Sequence, residues 1–568
     1  MSEPATENFL ARIFSRLESG EDTVFLNELR EENTISATGQ ELLSLIGKAQ
    51  KFILQRGLKK GERCALLAHN GIRWVATDLA LMAQGVIVVP LYARQEPSEL
   101  VTMMKDCSPA LICCGDAALR DGILKVWPEA PPQALLDEIF GDLAEDISGQ
   151  KPSDASASES ARSPSLVGSD PATIIYTSGT SGEAKGVIIN HANVTHMLNC
   201  TSARLDVLME NKSGQDRVFH YLPFCFAGSW IMLLTCLLRR SMLTMNTDLS
   251  KLANEMRDSA PDYFLNVPAL LERMRKAVDE QLWKTGGVAL KIHSRAKSAW
   301  IRKNETKSSF ADSVWLGLAN SVIFPTIRKK MIGGNLRALI CGSAPLNIET
   351  QLYFSMLRIP VLQVYGLTET TAICTMDDPR HVVPGRVGTA VSGIEMKLGE
   401  GEEIVVRGPN IFPGYWNRPE ETAKLLRDGW FQTGDQGEVD SSGNWRIAGR
   451  IKNLIILGSG HNVAPEPIED KILQSLPEVQ QVVVVGNGRG YLSAIVTGKV
   501  TRESLQAALD MVNADLPHYK QVRAFSVREE PFSIDNGLLT ANGKLKRDLI
   551  TRHFQREIEE LYGQKQAS

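Results

Sequence analysis

Residues 176–186 read Tyr-Thr-Ser-Gly-Thr-Ser-Gly-Glu-Ala-Lys-Gly, and they lie between two apolar β-type runs, Thr173–Tyr176 and Val187–Ile189. Glycines let backbone N–H groups converge on an anion, hydroxyl groups add donors, and Lys185 adds a mobile positive charge. The stretch therefore predicts a loop that cradles a polyphosphate. It is not a Walker loop, because Gly186 follows Lys185 where Ser or Thr would stand. An ordinary Gly/Ser hairpin loop is the alternative interpretation.

Composition limits the class of protein. At 568 residues the chain is too long for one compact core, so two or more domains are expected. A hydrophobic content of 43% and a charged content of 23% are typical of a soluble globular enzyme. The net charge of −4 gives no reason to expect nucleic acid as a partner. Nine scattered cysteines without a CxxC pair, and no visible secretory signal, predict a cytoplasmic chain with reduced thiols.

Residues up to about 150 alternate between helical and strand patterns. Helices are predicted at Glu41–Gln55 and Trp74–Gln84, and strands at Arg63–Ala68 and Val86–Leu91. This alternation predicts an α/β fold with a largely parallel sheet covered on both faces. Residues 151–165 are rich in Ser and Ala and predict a surface loop or linker.

Two segments between residues 221 and 307 each allow a functional and a purely structural interpretation. The aromatic-rich turn Tyr221–Trp230 leads into a helix at Ile231–Leu238 and predicts either the wall of an apolar substrate pocket or a core helix. Residues 291–307 are strongly basic and predict a helix. That helix could touch anionic lipid head groups or the phosphates of a large cofactor, or it could be a solvated face.

A second polar constellation follows two strand-like runs. Ala338–Cys341 ends in Gly342-Ser343-Ala344, and Gln363–Tyr365 ends in Gly366-Leu367-Thr368-Glu369. The ends of strands are the usual place for ligands in an open α/β sheet. An aromatic ring, a hydroxyl and a carboxylate within five residues can stack on a base, bind a phosphate oxygen and hold Mg²⁺.

The last part of the chain adds charged groups and a separate domain. Asp435 and Arg450 are suited to the hydroxyls of a ribose. The last ~110 residues alternate helices and strands in the manner of a small α+β domain. Near its end Lys544 follows a glycine, and in isolation this lysine is an ordinary surface charge.

Taken in this order, the stretches resemble the acyl-adenylate-forming superfamily of acyl-CoA synthetases, adenylation domains and luciferases, over nearly the whole chain. Within it the chain looks most like long-chain fatty acyl-CoA synthetases, because of the extra segment around 282–330, the run Gly333–Arg337 and the ending Asn536–Thr540. The resemblance implies a large N-terminal adenylate-forming domain of layered sheets and helices, residues 1–450. It also implies a small mobile C-terminal α+β domain, residues 453–568, and a hinge at 451–452.

The resemblance also implies roles for individual residues. The ATP or AMP site would comprise Thr177, Ser178, Gly179, Thr180, Ser181, Gly182, Lys185, Gly342, Ser343, Ala344, Gln363, Tyr365, Gly366, Thr368, Asp435 and Arg450. The catalytic residues would be Lys544, Glu369, Thr368 and Lys185, with Glu369 and Thr180 at Mg²⁺. The acyl pocket would be lined by Phe224, Phe226, Trp230 and Gly342; the hinge would be Lys452; and the coenzyme A side would be formed by Gly458, Ser459, Gly460 and His461.

The chain departs from the family pattern at four places. Ala184 stands where Pro is usual, Phe226 where His is common and His461 where Glu is common. Phe224-Cys225 lacks the aspartate that grips an amino-acid ammonium in peptide-synthetase domains, which argues against amino acids as substrates. With no polar anchor evident, a hydrocarbon tail fits the apolar lining best.

Three functions follow, in order of preference. The first is ATP-dependent ligation of a fatty acid, long-chain by the resemblance, to coenzyme A through an acyl-adenylate. The second is a fatty acyl-AMP ligase that loads an acyl carrier protein. The third is a catalytically silent lipid-binding protein, which would be expected to have lost Lys185, Glu369 or Lys544; the chain retains all three. Peripheral contact with a membrane is an open expectation for each of them.

Overall fold

The computed structural model describes residues 8–31, 33–141, 165–178, 184–304, 309–533, 535–540 and 543–563. Residues 151–164 of the predicted linker, and Gly179, Thr180, Ser181 and Gly182 of the predicted phosphate loop, lie outside this set. The chain divides into two compact units. The large unit is Met1–Glu395, Val406–Phe431 and Asp440–Trp445, and the small unit is Met396–Val405, Gln432–Val439 and Arg446–Ser568.

The first sheet of the large unit has six strands. Their spatial order is Gln133–Leu135, Leu111–Cys114, Arg63–Leu67, Ile87–Leu91, Pro171–Ser178 and Ala184–Asn190. All neighbours pair in parallel except the last two, which form an antiparallel hairpin. The accompanying helices are Gly39–Gln55, Ile72–Ala83, Pro97–Cys107, Ala117–Val126 and Leu136–Phe140. The predicted strand–helix alternation and parallel sheet are confirmed, and continuous apolar runs such as Ile87–Leu91 are buried.

The second sheet of the large unit has nine strands. Their spatial order is Thr389–Ala390, Thr375–Met376, Val361–Tyr365, Ala338–Cys341, Tyr263–Asn266, Arg217–His220, Met242–Met245, Val24–Leu29 and Thr34–Thr38. The six central strands, from Val361–Tyr365 to Val24–Leu29, are mutually parallel. The helices of this part are Phe9–Glu18, His191–Leu208, Ala227–Arg239, Leu252–Ser259, Pro268–Thr285, Gly287–Asn304, Phe310–Leu318, Phe324–Ile332 and Ile348–Met356. The layered sheets and helices implied by the resemblance are therefore present.

The helix predicted at Ile231–Leu238 begins four residues earlier, at Ala227. Gly228 and Ser229 resemble turn residues in the sequence, but both are helical here, and Trp230 is buried within the helix. The helix ends at Arg240, which has a left-handed backbone (φ 59°). Tertiary packing of an aromatic side chain has overridden the weak local preference for a turn.

A five-stranded sheet contains Glu395–Leu398, Glu403–Arg407, Leu426–Arg427, Trp430–Val439 and Trp445–Arg450. The helix Pro419–Leu425 precedes its third strand. Sequence patterns gave no strand assignment here, because the strands are short or interrupted by glycines and charged residues.

The small unit has its own apolar core and an α+β architecture. Its main sheet has the order Val479–Val485, Leu492–Gly498 and Val522–Arg528, and its helices are Glu466–Ser475, Arg502–Ala514, Arg547–His553 and Gln555–Gly563. A two-stranded ribbon pairs Ile455–Ile456 with Asn462–Val463. The α+β prediction is confirmed; the strand Val522–Arg528 and the last two helices were missed because their apolar residues are few and interspersed with charges.

Candidate active site

The two polar runs of the second constellation, at Gly342 and Gly366, follow neighbouring strands of the nine-stranded sheet. The register aligns Asn266 with Cys341 and Cys341 with Gln363 across parallel strands. The loops that follow these strands therefore leave the sheet at the same edge, and the Gly342 N–H donates to the Asn266 carbonyl at 3.2 Å. This is the position at which open α/β sheets bind ligands.

Two glycines shape these loops because their neighbours come too close for a side chain. A Cβ on Gly366 would lie 2.2 Å from the Ala372 carbonyl oxygen. A Cβ on Gly342 would lie 2.5 Å from a methyl group of Val364. Both positions therefore require glycine, because any side chain there would collide with neighbouring atoms.

Gln363 is held by hydrogen bonds from both its backbone and its side chain. Its N–H donates to Asp377 Oδ2 at 2.7 Å, and its side-chain amide donates to Gln351 at 3.0 Å. Burial raises the pKa of Asp377 to about 7. Tyr365 is largely buried, and its carbonyl accepts from the Cys374 N–H at 2.7 Å. The residues predicted to hold adenine thus sit on a rigid strand end.

Glu369 and Lys185, predicted from separate motifs, both contact one residue, Tyr415. The Tyr415 hydroxyl donates to Glu369 Oε1 at 2.7 Å. The Lys185 ammonium lies 5.5 Å from the centre of the Tyr415 ring, within cation–π range. Lys185 also pairs with Glu421, and this hydrogen bond lowers the pKa of the Glu421 carboxyl.

Tyr415 was missed by the sequence analysis. It reaches the site because residues 414–416 run beside the second strand of the hairpin, where Val187 bridges to Tyr415 and the Trp416 N–H donates to the Gly186 carbonyl at 2.7 Å. A single tyrosine in Gly414-Tyr415-Trp416 carries no recognisable spacing to Lys185 or Glu369. Only the pairing of distant strands brings these residues together.

The strands on either side of the predicted phosphate loop form the antiparallel pair of the six-stranded sheet. The register pairs Thr177 with Lys185 and Ser178 with Ala184. A Cβ on Gly186 would lie 2.7 Å from an Ile174 methyl group, which explains the glycine after Lys185. Lys185 is therefore anchored in a strand.

The three aromatic residues predicted to line the acyl pocket are buried to different degrees: Phe224, Phe226 and Trp230. Phe224 and Trp230 are each 1% exposed. The Trp230 indole donates to Asp78 Oδ2 at 2.9 Å, and the Phe224 ring stacks on His220 at 4.9 Å. Phe226 is half-buried, and its ring centre lies 5.9 Å from that of Tyr92. Phe226 is the one of the three with an open face.

In the small unit, Asp435 and Arg450, both predicted to bind the ribose, form an ion pair of 2.7 Å. Partial desolvation, with the nearby Arg450 charge, lowers the pKa of Lys452 to about 8. Lys544 lies on an exposed turn, in which its N–H donates to the Thr540 hydroxyl at 3.0 Å. The His461 ring stacks on the Tyr519 ring, with 4.3 Å between the ring centres, and its Nδ1 lies 3.0 Å from the Ser459 hydroxyl oxygen.

Comparison with known proteins identifies the class. Residues 16–416 match the model of the AMP-binding enzyme family, and residues 452–566 match that of the AMP-binding enzyme C-terminal domain. The chain therefore belongs to the AMP-binding enzyme family, and its adenylate-forming character and two-part architecture are confirmed.

Particular relatives narrow the comparison. The long-chain-fatty-acid–CoA ligase FadD15 of Mycobacterium bovis is 25% identical over 589 residues, covering 98% of this chain and 97% of that protein. The long-chain-fatty-acid–[acyl-carrier-protein] ligase AEE15 of Arabidopsis thaliana is 26% identical, covering 89% of this chain and 80% of its own. The crystal structure of ATP-bound MatB from Rhodopseudomonas palustris shares the fold, with a TM-score of 0.72, 23% identity and coverage of 96% and 98%.

Proposed function

We propose that the protein activates a long-chain fatty acid with ATP to an acyl-adenylate and then transfers the acyl group to coenzyme A. The observation that carries this proposal is the convergence of Lys185, Tyr415 and Glu369 beside the strand-end loops. A cation and a carboxylate held close together are the groups that nucleotide phosphates and their Mg²⁺ need, which supports the proposal. Relatives named as long-chain fatty acid ligases along almost the whole chain support the choice of substrate.

The chemistry needs these charges. A carboxylate is a weak nucleophile, and its attack on the α-phosphate brings two anions together. Lys185, and Lys544 as proposed from the family pattern, offset the repulsion and stabilise the charge that develops at phosphorus; one such contact is worth roughly 3 kcal/mol. The acyl oxygen–phosphorus bond forms as the bond to pyrophosphate breaks. The coenzyme A thiolate then attacks the acyl carbon, and AMP leaves.

The residues present fit a magnesium ion shared with phosphate. Glu369 Oε1 accepts from Tyr415, and Oε2 makes no hydrogen bond within the described residues, which leaves one carboxylate oxygen for a cation. No three His, Cys, Asp or Glu side chains cluster as metal ligands in the part of the chain that the structure describes, so phosphate oxygens would complete the shell. When bound, Mg²⁺ would neutralise phosphate charge.

The remaining assignments are part of the proposal. Thr368 and the predicted phosphate loop, with Thr180, would bind phosphates, Asp435 with Arg450 the ribose, and Gly458–His461 the pantetheine side. Lys452 would be the hinge about which the C-terminal domain, from residue 453, moves between the two half-reactions. The protein would act in the cytoplasm.

AMP release from ATP, Mg²⁺ and a ladder of saturated fatty acids, with and without coenzyme A, tests the proposal. Turnover that requires coenzyme A and peaks among long chains is expected. An amino acid and a short dicarboxylate serve as control substrates and should give no AMP. A single burst of pyrophosphate that does not change with coenzyme A, followed by turnover when an acyl carrier protein is added, would favour the carrier-protein ligase. The relative AEE15 carries the name of such a ligase. No adenylation of any acid would overturn both.

A further inference from the structure

The helix pair Phe310–Leu318 and Phe324–Ile332, joined by an i→i+5 turn at Ala319–Ile323, has two different faces. The inward residues belong to the apolar core: Leu316, Ala319, Phe324, Ile327 and Ile332. The outward face carries Phe310, Val314, Leu318 and Val322, which are 87%, 54%, 41% and 54% exposed. These four residues are called the apolar stripe. Water covers them in the isolated chain, at a cost in free energy for each.

The spacing keeps the stripe on one side of the helix. Residues four apart on an α-helix drift by about 40° per step, since the repeat is 3.6 residues. The i→i+5 turn contains more residues per turn and reverses that drift between Leu318 and Val322. Four large apolar side chains therefore form one continuous exposed row.

Exposed apolar side chains are concentrated in the segment of the chain that contains this row. Among the described residues, eighteen large hydrophobic side chains are exposed, and seven lie between residues 283 and 322. The other three are Trp283 (75%), Val288 (73%) and Ile301. A contiguous exposed apolar surface marks an interaction site more often than scattered residues do.

The charge of the same segment identifies the partner. Residues 281–337 contain eleven Lys and Arg but two Asp and Glu, so their formal charge is +9 in a chain of net charge −4. Three cations, Arg328, Lys329 and Lys330, end the helix that carries the stripe. Apolar side chains interleaved with an excess of cations match the chemistry of an anionic lipid surface. A protein partner would call for hydrogen-bonding groups within the patch.

The contacts that the helical stretch Phe310–Ile332 makes with the rest of the protein allow it to lie along a membrane surface. Among the described residues, one helical stretch, Phe310–Ile332, is long and apolar enough to cross a membrane, by length and composition alone. Its first turn is fixed by a capping box, in which the Ser309 hydroxyl accepts from the Asp312 N–H and the Asp312 carboxylate accepts from the Ser309 N–H. Asp312 also pairs with Arg302, and the Arg295 guanidinium lies 5.4 Å from the centre of the Trp315 ring. Together with its inward apolar residues, these contacts hold one face on the core and leave the other outward.

We propose that the apolar stripe, flanked by Arg328, Lys329 and Lys330, docks the protein peripherally on anionic phospholipid bilayers. The stripe enters the interface between head groups and acyl chains, and the cations contact lipid phosphates. This inference stands apart from the proposed reaction, because it rests on a surface that carries none of the residues assigned to catalysis.

Co-sedimentation of the full chain with vesicles tests the docking, without ATP or coenzyme A. Vesicles of phosphatidylcholine with about one third phosphatidylglycerol should bind the wild type, pure phosphatidylcholine vesicles should bind it less, and added salt should weaken the binding. The variant F310S/V314S/V322S should lose about tenfold or more of the partition coefficient. The variant K329E/K330E should bind anionic vesicles more weakly and lose much of the salt dependence.

Matched controls come from the same unit. Leu54, Val126 and Val167 are comparably exposed, at 46%, 45% and 53%, and L54S/V126S/V167S should bind as the wild type does. Exposed Lys51 and Lys125 supply the charge control, K51E/K125E. Equal losses in test and control variants would overturn the proposal, as would wild-type protein that binds no vesicle.

A second measurement does not depend on the triple variant folding. Lipids brominated near the head group should quench tryptophan fluorescence of the wild type, and Trp283→Phe should remove part of that quenching, because this indole is exposed in the same segment. Light scattering tests whether a second copy of the chain, instead of a bilayer, binds the apolar stripe. A wild-type dimer that F310S/V314S/V322S dissociates, with vesicle binding unchanged, would assign the stripe to self-association and overturn the proposal.

Discussion

Glu369 in the large unit and Lys544 in the small unit are both proposed to act on the same phosphates, but they are held differently. The Glu369 carbonyl accepts from the Phe412 N–H at 2.9 Å, and its carboxylate accepts from Tyr415 at 2.7 Å. Lys544 is exposed and follows a turn in which the Thr540 N–H donates to the Lys544 carbonyl at 2.8 Å. Glu369 is preorganised by distant parts of the chain, and Lys544 by a local turn. Changes at Lys544 should therefore separate activity from stability, and changes around Glu369 should not.

The largest effect is expected from Lys544→Ala. Removing this charge should reduce acyl-adenylate formation by about 10²–10³-fold, because the charge that develops at phosphorus loses a partner. Thioester formation from a supplied acyl-adenylate should be nearly unchanged, and the melting temperature should not move, because the side chain is exposed. Rates of the two half-reactions, measured separately with purified protein, check this.

Lys499→Ala is the control for Lys544→Ala, since Lys499 is an exposed lysine of the same unit. It should leave both half-reactions unchanged. Equal loss of both half-reactions in Lys544→Ala would remove this lysine from its proposed role.

The opposite behaviour is expected at Gly366, in the loop before Glu369. A Cβ there meets the Ala372 carbonyl oxygen at 2.2 Å and the Ile373 Cα at 2.6 Å, both of them backbone atoms that cannot yield easily. Gly366→Ala should lower the free energy of unfolding by about 3 kcal/mol and abolish adenylation together with it. Denaturant titration and the AMP assay on the same sample measure both.

Gly47→Ala is the matched control for Gly366→Ala. Gly47 lies in the helix Gly39–Gln55 and has open space around it. Its replacement should stabilise the protein by about 0.5–1 kcal/mol and leave activity intact. A stable, active Gly366→Ala would show that this loop is less tightly packed than its geometry indicates.

Sequence reasoning reached these residues unevenly, for physical reasons. Gly366 and Glu369 follow a strand-like run, and Lys185 follows a glycine-rich one, so local patterns pointed to both. Tyr415 and Glu421 join the site through strand pairing between segments more than 200 residues apart, and no local pattern carries that information. The parallel sheet was predictable from alternating strands and helices; the five-stranded sheet and the strand Val522–Arg528 were not, since charges interrupt their apolar residues.

The hydrogen bond between Tyr415 and Glu369 gives a graded test of preorganisation. Glu369→Gln should reduce adenylation by about 100-fold and raise the Mg²⁺ concentration required, because the neutral amide binds the cation poorly. Tyr415→Phe keeps the ring beneath Lys185 and removes the donor, so a loss of about tenfold is expected. Magnesium titrations of the AMP assay separate the two variants.

Tyr562→Phe serves as the control for Tyr415→Phe, because it deletes a partly buried tyrosine hydroxyl in the small unit, bonded to the Val485 carbonyl at 3.1 Å. It should cost stability alone. An unchanged magnesium requirement in Glu369→Gln would show that the carboxylate does not hold the cation.

The smallest expected effect is on the pH dependence of stability, at Asp78 in the large unit. Asp78 is 1% exposed, accepts from the Trp230 indole at 2.9 Å, and burial raises its pKa to about 7. Since the folded pKa lies above the ordinary value, the stability contributed by the protonated form is present at low pH and is lost as the pH rises through 7.

Asp78→Asn keeps the acceptor for Trp230 and cannot ionise. The free energy of unfolding of the wild type should therefore fall relative to Asp78→Asn by about 1.4 kcal/mol between pH 6 and pH 8. Urea titrations at both pH values measure the difference. Asp121→Asn, at an exposed carboxylate, should differ from the wild type equally at both. Parallel pH dependence of Asp78→Asn and the wild type would mean that Asp78 is ionised in its buried site, and that the helix Ile72–Ala83 carries a buried charge.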